Sequence, residues 1–455
     1  MIFGRFGSFA GGIDLPDDKR RTLALPIAPM PSTPSRLLVP LAPSGAPAEP
    51  IVEIGQHVSF AQHIAQPRQP RSQNIYSPLA GRVAGFTTAR TADRDDYATT
   101  PAIELVDCSP PGGIKPLAPV YDFRNAESSE LRDRIAEGGL STCRRRPQPL
   151  GWWVQRARDN HCHTLIANAM EHQPYVTSDH RLLCEYGTEV VRGLAILARA
   201  IEVDTILLAV DGRRTDDYRE LVGPARLFGV DLIALGHKYP TGSDAVLAKV
   251  LTKREVPLGG TVMDLGVAMI DPAACFAAYR WVVCESPPLG RVVTLSGEHA
   301  EQPGNFWVPY GTPCEHLVGS LEGTHIHGGP MTGLRLRSNV VVGPTTDAVL
   351  SLAAPAPLPP SPCIRCGWCT DHCPARLNVS ALNDHFEMGD VDTAWRSGTL
   401  SCVHCGICTY VCPARLPLAQ RVQELKRSIY VMRRAEATTE HARKARNAGD
   451  DKESS

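Results

Sequence analysis

Two stretches of this chain carry the residues best suited to chemistry: CIRCGWCTDHCP, Cys363 to Pro374, and CVHCGICTYVCP, Cys402 to Pro413. Each spaces its sulfurs as C-x2-C-x2-C-x3-C and closes on a proline, the run found in bacterial two-cluster ferredoxins. A four-iron cube takes one thiolate per iron, and three cysteines each separated by two residues deliver three corners from one tight loop. The fourth cysteine lies beyond that loop and in such modules reaches the other cluster. The spacing therefore predicts Cys363, Cys366, Cys369 and Cys412 on one 4Fe–4S cluster, and Cys402, Cys405, Cys408 and Cys373 on a second. Structural zinc is the rival chemistry. It commonly uses two CxxC knuckles with four ligands in all, whereas here three close cysteines and a fourth occur twice over. Paired cubanes pass electrons one at a time, so the expected role is electron transfer.

The chain has 15 cysteines, and the seven outside these repeats (Cys108, Cys143, Cys162, Cys184, Cys275, Cys284 and Cys314) lack metal-ligand spacing. They read as ordinary core or surface thiols. The opening MIFGRFGSFAGGIDLP lacks the basic start and apolar run of a secretory signal, so a reducing compartment is expected rather than a disulfide framework. Lys plus Arg (47) nearly cancels Asp plus Glu (48), which leaves no overall field favouring nucleic acid. No window approaches the roughly 18 to 20 apolar residues of a membrane span, so any membrane role is expected to be peripheral, through a partner. His161 and His163 flank Cys162 and could suggest zinc, but alternation at a strand entry explains them as well.

These loops need a frame, and 455 residues suffice for two to four domains. Residues 1–122 are rich in Pro and Gly with short apolar alternations (RLLVPLAP, PIVEIGQHVSF, AGRVAGFTT), which predict a small all-β module. It resembles the barrel-sandwich domains of biotinyl and lipoyl carriers, without the modifiable lysine those carry at a hairpin tip. Over 123–286 strand and helix alternate: SSELRDRIAEGG as helix, HTLIANAM as buried strand, TEVVRGLAILARAIE as amphipathic helix, DTILLAVDG and DLIALGH as strands. This predicts a parallel, Rossmann-like α/β layer. A β-rich insert is expected over 287–345, a stiff Pro-rich linker over 346–362, the dicluster ferredoxin-like module over 363–430, and a disordered charged tail over 431–455. The fold class is thus multidomain, α/β plus β.

The order of parts resembles the RnfC family, components of the Rnf (Rsx) electron transport complex and relatives of the flavin-bearing subunit of respiratory complex I. The pieces that carry the likeness are FAGGIDLPDDK, NAMEHQPYVTSDHRLL, HKYPTGSD, RVVTLSGEHAEQPGNFWVPYGTP, HIHGGPMTG and both cysteine runs. The resemblance implies a β-grasp insert of the soluble-ligand-binding type and peripheral attachment at the cytoplasmic face of a membrane complex. It also implies that NADH reduces a flavin whose electrons move on through the clusters, with other proteins of the complex and a carrier such as ferredoxin as partners. In this family HIHGGPMTG is a glycine turn packed near the sheet, which argues against a metal on His325 and His327.

One departure matters. Family members carry a glycine-rich loop resembling VGLGGAGFPT, where bare backbone can approach flavin and nucleotide phosphates. This chain reads LSTCRRRPQPLGWW there, so Arg144, Arg145 and Arg146 replace small residues and Pro147 and Pro149 remove donors. Further on, Gln173 stands where the family usually has a second glutamate. Asn168, Glu171, Tyr175, Tyr239 and Gly242 are left as the remains of a flavin pocket. The arginine loop is expected to be a solvated basic loop, and FMN and NADH to bind weakly or not at all. The protein is then an electron-transfer subunit fed by a partner, with Arg365, His404 and Arg415 near the docking face of the cluster module. Two alternatives stand beside it. In one, the arginines fold inward as a phosphate clamp and the chain is an NADH-oxidising FMN subunit; in the other, its clusters only hold a docking scaffold together.

Overall fold

The computed structural model describes residues 8–93, 96–144, 146–354 and 358–453. Of these, Asp14–Val256 and 261–354 form one compact unit, and Ser8–Ile13, Pro257–Gly260 and 358–453 form another.

The larger unit is built around a four-stranded parallel sheet in the order Val230–Leu235, Thr205–Asp211, Thr164–Ala169, Val267–Ile270. TLIANA reads as an unbroken small-and-apolar run because every residue of that strand is buried, as in parallel sheets covered on both faces. The helix Ser178–Ile201 packs on Pro272–Cys284, and Gly193 permits the approach, since a Cβ there would run into the backbone of Cys275. Asp271 starts the second helix by accepting from Ala274 N at 2.8 Å, with Pro272 in the first turn where its missing N–H costs nothing.

The N-terminal β module is a sandwich. One sheet comprises Arg36–Pro40, His57–Val58 and the long hairpin Gly81–Asp93/Asp96–Val106, and the other Glu49–Pro50, His63–Gln66 and Ile75–Tyr76. Leu37, Val39, Ile64, Ala65, Val83, Ile103 and Leu105 close the core between them.

Where a β-grasp insert is expected, the chain forms a six-stranded mixed sheet whose membership crosses the sequence-based boundaries. Its order is Ile27–Pro29, Gly304–Pro309, Gly290–Ser296, Ala348–Leu352, Thr324–His327, Leu334–Arg335. Ile27–Pro29 pairs in parallel with Asn305–Trp307, so it does not belong to the N-terminal sandwich. Ala348–Leu352, placed in the linker by its Pro-rich surroundings, is a mostly buried interior strand parallel to Gly290–Ser296. The apolar run AVLSL outweighs the prolines that follow, because they begin only after the pairing ends. Ala353, Ala354 and 358–362 are exposed and outside regular structure, and 355–357 lie outside the described residues.

In the smaller unit the helices Val379–Met388, Val391–Arg396 and Leu418–Glu453 surround the cysteine runs. The last helix continues to Glu453 where a disordered tail was expected from 431. The segment lacks apolar periodicity but is dense in Ala, Arg, Glu and Lys, which favour helix intrinsically. Arg433 pairs with Glu436 at 3.2 Å and lies 4.5 Å over the Trp395 ring, which extends the helix past its buried part. Among the described residues no helix is long and apolar enough to cross a membrane.

Candidate functional site

The two cysteine runs fold alike. In each, a left-handed residue (Arg365, φ 57°; His404, φ 55°) and a glycine (Gly367, φ 83°; Gly406, φ 79°) turn the chain tightly between the first three sulfurs. A short helix follows, Trp368–Asp371 or Ile407–Tyr410, and then a second left-handed residue, Arg376 or Arg415, beyond the fourth cysteine. The runs sit against an apolar cluster of Leu377, Val379, Leu382, Ala414, Leu416 and Leu425. Burial pushes the Cys369 thiol up against a hydrogen bond with Thr370, and Cys366, Cys412 and Cys363 add to the rise. Burial likewise pushes Cys405 up to about 12, with Cys402 and Cys373 as neighbours. Cys408 is raised by burial and by Cys402, Cys405 and Cys373. The electrostatic neighbours of Cys369 thus include Cys412, and those of Cys408 include Cys373. Among the described residues no three ligand side chains converge on a single metal ion. A cubane asks for no such point, because each thiolate takes its own iron. Two sets of four thiols among apolar side chains fit 4Fe–4S clusters, and iron would have to displace the protons that burial favours. Leu377 N donates to Cys373 Sγ at 3.4 Å, and Lys426 Nζ ties down the second run at Cys402 O, 2.8 Å, beside His404 Nε2 at 3.0 Å.

A support that motif reading missed comes from FAGG at the start of the chain. Gly12 N donates to His372 O at 2.9 Å. Gly11 has φ 67°, and a Cβ on it would lie 2.7 Å from Cys373 C, Cys373 O and His372 O. The doubled glycine was the available signal; its partner lies more than 350 residues away in the chain. Gly11→Ala combines a strained φ, worth about 1 kcal/mol, with a backbone collision. It is expected to lower the iron retained after reconstitution, while Gly223→Ala, which meets open space, leaves it unchanged.

The other candidate residues gather at the carboxyl ends of the parallel strands. The chain order reverses between Thr164–Ala169 and Val267–Ile270, the crevice where open α/β sheets bind ligands. Asn168 Nδ2 donates to Gly242 O at 2.9 Å and Asp244 Oδ1 at 3.2 Å, and its Oδ1 accepts from Met170 N at 3.2 Å. Glu171 caps the helix that starts at Ser178, accepting from Asp179 N at 2.9 Å and His180 N at 3.4 Å, and stands 3.7 Å from the buried Lys19. Gly242 N donates to His172 Nδ1 at 2.7 Å, and a Cβ at Gly242 would strike Met170 O and His172. Burial, aided by Lys19, His237 and Arg144, pulls the His172 pKa down to about 3, so its ring is neutral and can accept that bond. Tyr239 is buried edge-on against His172 at 4.8 Å. Tyr175 (φ 66°) instead directs its hydroxyl to Glu298. Gly242 and Tyr239 thus meet at His172, Asn168 joins them through Gly242 O, and Glu171 turns to Lys19 and the following helix; His172 and Lys19 had not been singled out.

The arginine loop differs from its expected solvated form. Thr142 N donates to Gln148 O at 2.9 Å and Leu150 N to Leu140 O at 2.8 Å, so the amide opening the helix Leu150–Asp159 is already used. Cys143 N donates to Asp271 Oδ2 at 2.8 Å. Arg144 folds inward and pairs with Asp244, the first residue of the helix Asp244–Thr252, with Asp271 as a further charge favouring the cation. Arg145 lies outside the described residues and Arg146 is exposed. A flavin phosphate would find its cradle amide spent, prolines in place of donors, and Asp244, Asp271, Asp179 and Glu171 nearby. Burial, Glu171 and Asp271 raise the Asp179 pKa, as expected where carboxylates crowd. These residues do not fit a flavin phosphate. Three of the four histidines weighed as metal ligands bond to hydroxyls instead: His327 Nε2 is 2.8 Å from Thr346 Oγ1, His325 Nδ1 3.0 Å from Ser351 Oγ, and His163 Nδ1 2.9 Å from Thr164 Oγ1.

Comparison with known proteins adds three family matches: an RnfC barrel sandwich hybrid domain at residues 7–105, a Nuo51 FMN-binding domain at 148–280 and a 4Fe–4S dicluster domain at 362–417. The second match begins after Arg144. The RnfC protein of the ion-translocating oxidoreductase complex of Rhodobacter capsulatus is 33% identical over 433 residues, covering 91% of this chain and 82% of that protein. The proteins of the same name from Pseudomonas aeruginosa (32% over 398 residues) and Erwinia tasmaniensis (32% over 404) cover 84% and 86% of this chain. The chain spans about half the length of these two, 50% and 49%. An NAD+-reducing NiFe hydrogenase structure in the H2-reduced state aligns over 70% of this chain and 65% of its own, at 14% identity and a TM-score of 0.46, too distant to bear on function.

Proposed function

We propose, for a chain that belongs to the RnfC family of ion-translocating oxidoreductase complexes, that it carries single electrons through two 4Fe–4S clusters and receives them from a partner rather than from a flavin of its own. The observation that carries this is the pair of C-x2-C-x2-C-x3-C-P runs within a segment that matches a 4Fe–4S dicluster domain, with Cys412 among the electrostatic neighbours of Cys369 and Cys373 among those of Cys408. It supports cross-ligation by Cys363, Cys366, Cys369 and Cys412 on one side and by Cys402, Cys405, Cys408 and Cys373 on the other. The clusters, when bound, supply reversible one-electron chemistry. The protein supplies position and surroundings: left-handed turns fold each run tightly, Leu377 N–H bonds the Cys373 sulfur, and an apolar cluster packs against the runs, all of which tune potential. In this reading the chain sits peripherally at the cytoplasmic face of a membrane complex, against the other proteins of that complex and a carrier such as ferredoxin.

A second reading, an NADH-oxidising FMN subunit, is favoured by the match to an FMN-binding domain at 148–280. Anaerobic purification with iron analysis separates the two. The first expects roughly eight irons per chain, with broad absorbance bleached by dithionite and no flavin band; a flavin band bleached by NADH would establish the second. Protein that retains iron but cannot be reduced would reject both.

A further inference from the structure

We infer that the N-terminal β sandwich binds a short extended peptide segment of another protein, which adds itself as a strand to the open edge of the long hairpin at Phe86–Thr88. The inference stands apart from the electron-transfer reading, since it uses none of the cluster cysteines. The strand Gly81–Asp93 is paired with Asp96–Val106 along the whole of one side but only near its ends along the other. At one end Gly55 N donates to Val83 O at 2.8 Å and Val83 N to Gln56 O at 2.9 Å. At the other, Arg90 N donates to Asn339 O at 2.8 Å and Val341 N to Arg90 O at 3.0 Å.

Alternation fixes which backbone groups face the gap between these ends. Counted back by twos from Arg90, Thr88 and Phe86 turn their N–H and C=O outward, and the irregularity between Val83 and Gly85 brings Val83 into the same phase. The neighbouring strand agrees. Pro101, opposite Thr88, has no N–H and accepts from Leu41 N at 2.8 Å on its far side, so Thr88 and Pro101 do not bond each other. Among the described residues these two amides and two carbonyls have no hydrogen-bond partner. The side chains suit the same use. Phe86, Thr87 and Thr88 are exposed in succession, an uncharged and β-prone stretch left in water. Phe86 stands opposite the fully buried Ile103 on the same face, yet is 50% exposed because no strand lies beyond it. Ile54, 66% exposed, borders the gap beside Gly55. A second copy does not fit, because its own hairpin strand would run on into Gln56 and Asn339. The gap admits only about three or four residues. Its occupant is therefore a loop or tail of a partner in extended form, free of proline where it must donate, with alternate apolar side chains to cover Phe86 and Ile54.

The test uses the full, iron-loaded chain and random heptapeptides displayed on phage. Recovered peptides are synthesised and their binding is read by fluorescence anisotropy. They are expected to alternate apolar and polar residues and to protect the Phe86 and Thr88 amides from hydrogen exchange. Thr88→Pro removes an amide that the fold does not use, and should weaken binding by about tenfold or more with iron content unchanged. A second series leaves the protein untouched, so it decides the matter even where Thr88→Pro fails to fold. Methylating the backbone amides of the peptide one at a time should weaken binding by about tenfold at every other position and by less than about twofold between them. Recovery of no binding peptide, protection confined to other amides, full affinity in folded Thr88→Pro, or methylation effects without a two-residue alternation would each overturn the proposal.

Discussion

Replacing Cys412 by serine is expected to remove the cluster of the first run while sparing that of the second. The substitution lies ten residues beyond Cys402, inside the second run, so a locally ligated pair would lose the opposite cluster. The experiment is sharpest in a background with Cys402, Cys405 and Cys408 all changed to serine, where only one cluster can form. Cross-ligation leaves that cluster on Cys363, Cys366, Cys369 and Cys412. Adding Cys373→Ser should then leave its roughly four irons in place, and adding Cys412→Ser should strip most of them. Iron analysis and the resonance of the reduced protein read both outcomes. If Cys373→Ser empties the site and Cys412→Ser does not, each run holds its own cluster and the grouping of thiols around Cys369 and Cys408 does not describe the ligation.

Titrated with FMN, the cluster-loaded protein is expected to show no binding in the low-micromolar range, which corresponds to about −8 kcal/mol. The reason is chemical. A phosphate dianion is normally held by open amides at a helix N-terminus, where the dipole shares the charge. Here the Leu150 amide is bonded to Leu140 O, prolines occupy positions 147 and 149, and the Arg144 guanidinium is paired with Asp244. A cation neutralised by its own protein is a poor clamp, because a ligand must first break the pair. Arg144→Ala should therefore cost stability, not affinity. With the two side chains 25% and 37% exposed, the loss is about 1 to 2 kcal/mol, below that of breaking a fully buried pair. Thermal unfolding measures it. A low-micromolar dissociation constant for FMN that disappears in Arg144→Ala would show that the arginine serves as a clamp after all and would restore the NADH-oxidising reading.

Some of this was legible in the sequence because it depends on neighbours along the chain. The iron–sulfur chemistry is written in C-x2-C-x2-C-x3-C-P, since a cubane is served by a tight loop, and the same segment matches a 4Fe–4S dicluster domain. The parallel sheet is written in TLIANA, TILLAVD and DLIAL, since strands covered on both faces must be apolar throughout. Other features depend on what the chain meets far away, and local pattern carries no trace of them. Ile27–Pro29 is a strand because it pairs with Asn305–Trp307, and the apolar run Ala348–Leu352 finds its place between Gly290–Ser296 and Thr324–His327. Gly11 is glycine because Cys373 lies against it. Arg144, read from its neighbours, belongs to a basic solvated loop. The folded chain turned it inward, where it pairs with Asp244 and feels the charge of Asp271, both supplied by distant parts of the chain. The sequence by itself thus determined which chemistry the chain can hold, through spacings that a single loop enforces. Only the tertiary structure decided what lies against the cysteine runs and whether the old phosphate crevice is still free, because both depend on charges and backbone brought together from distant parts of the chain.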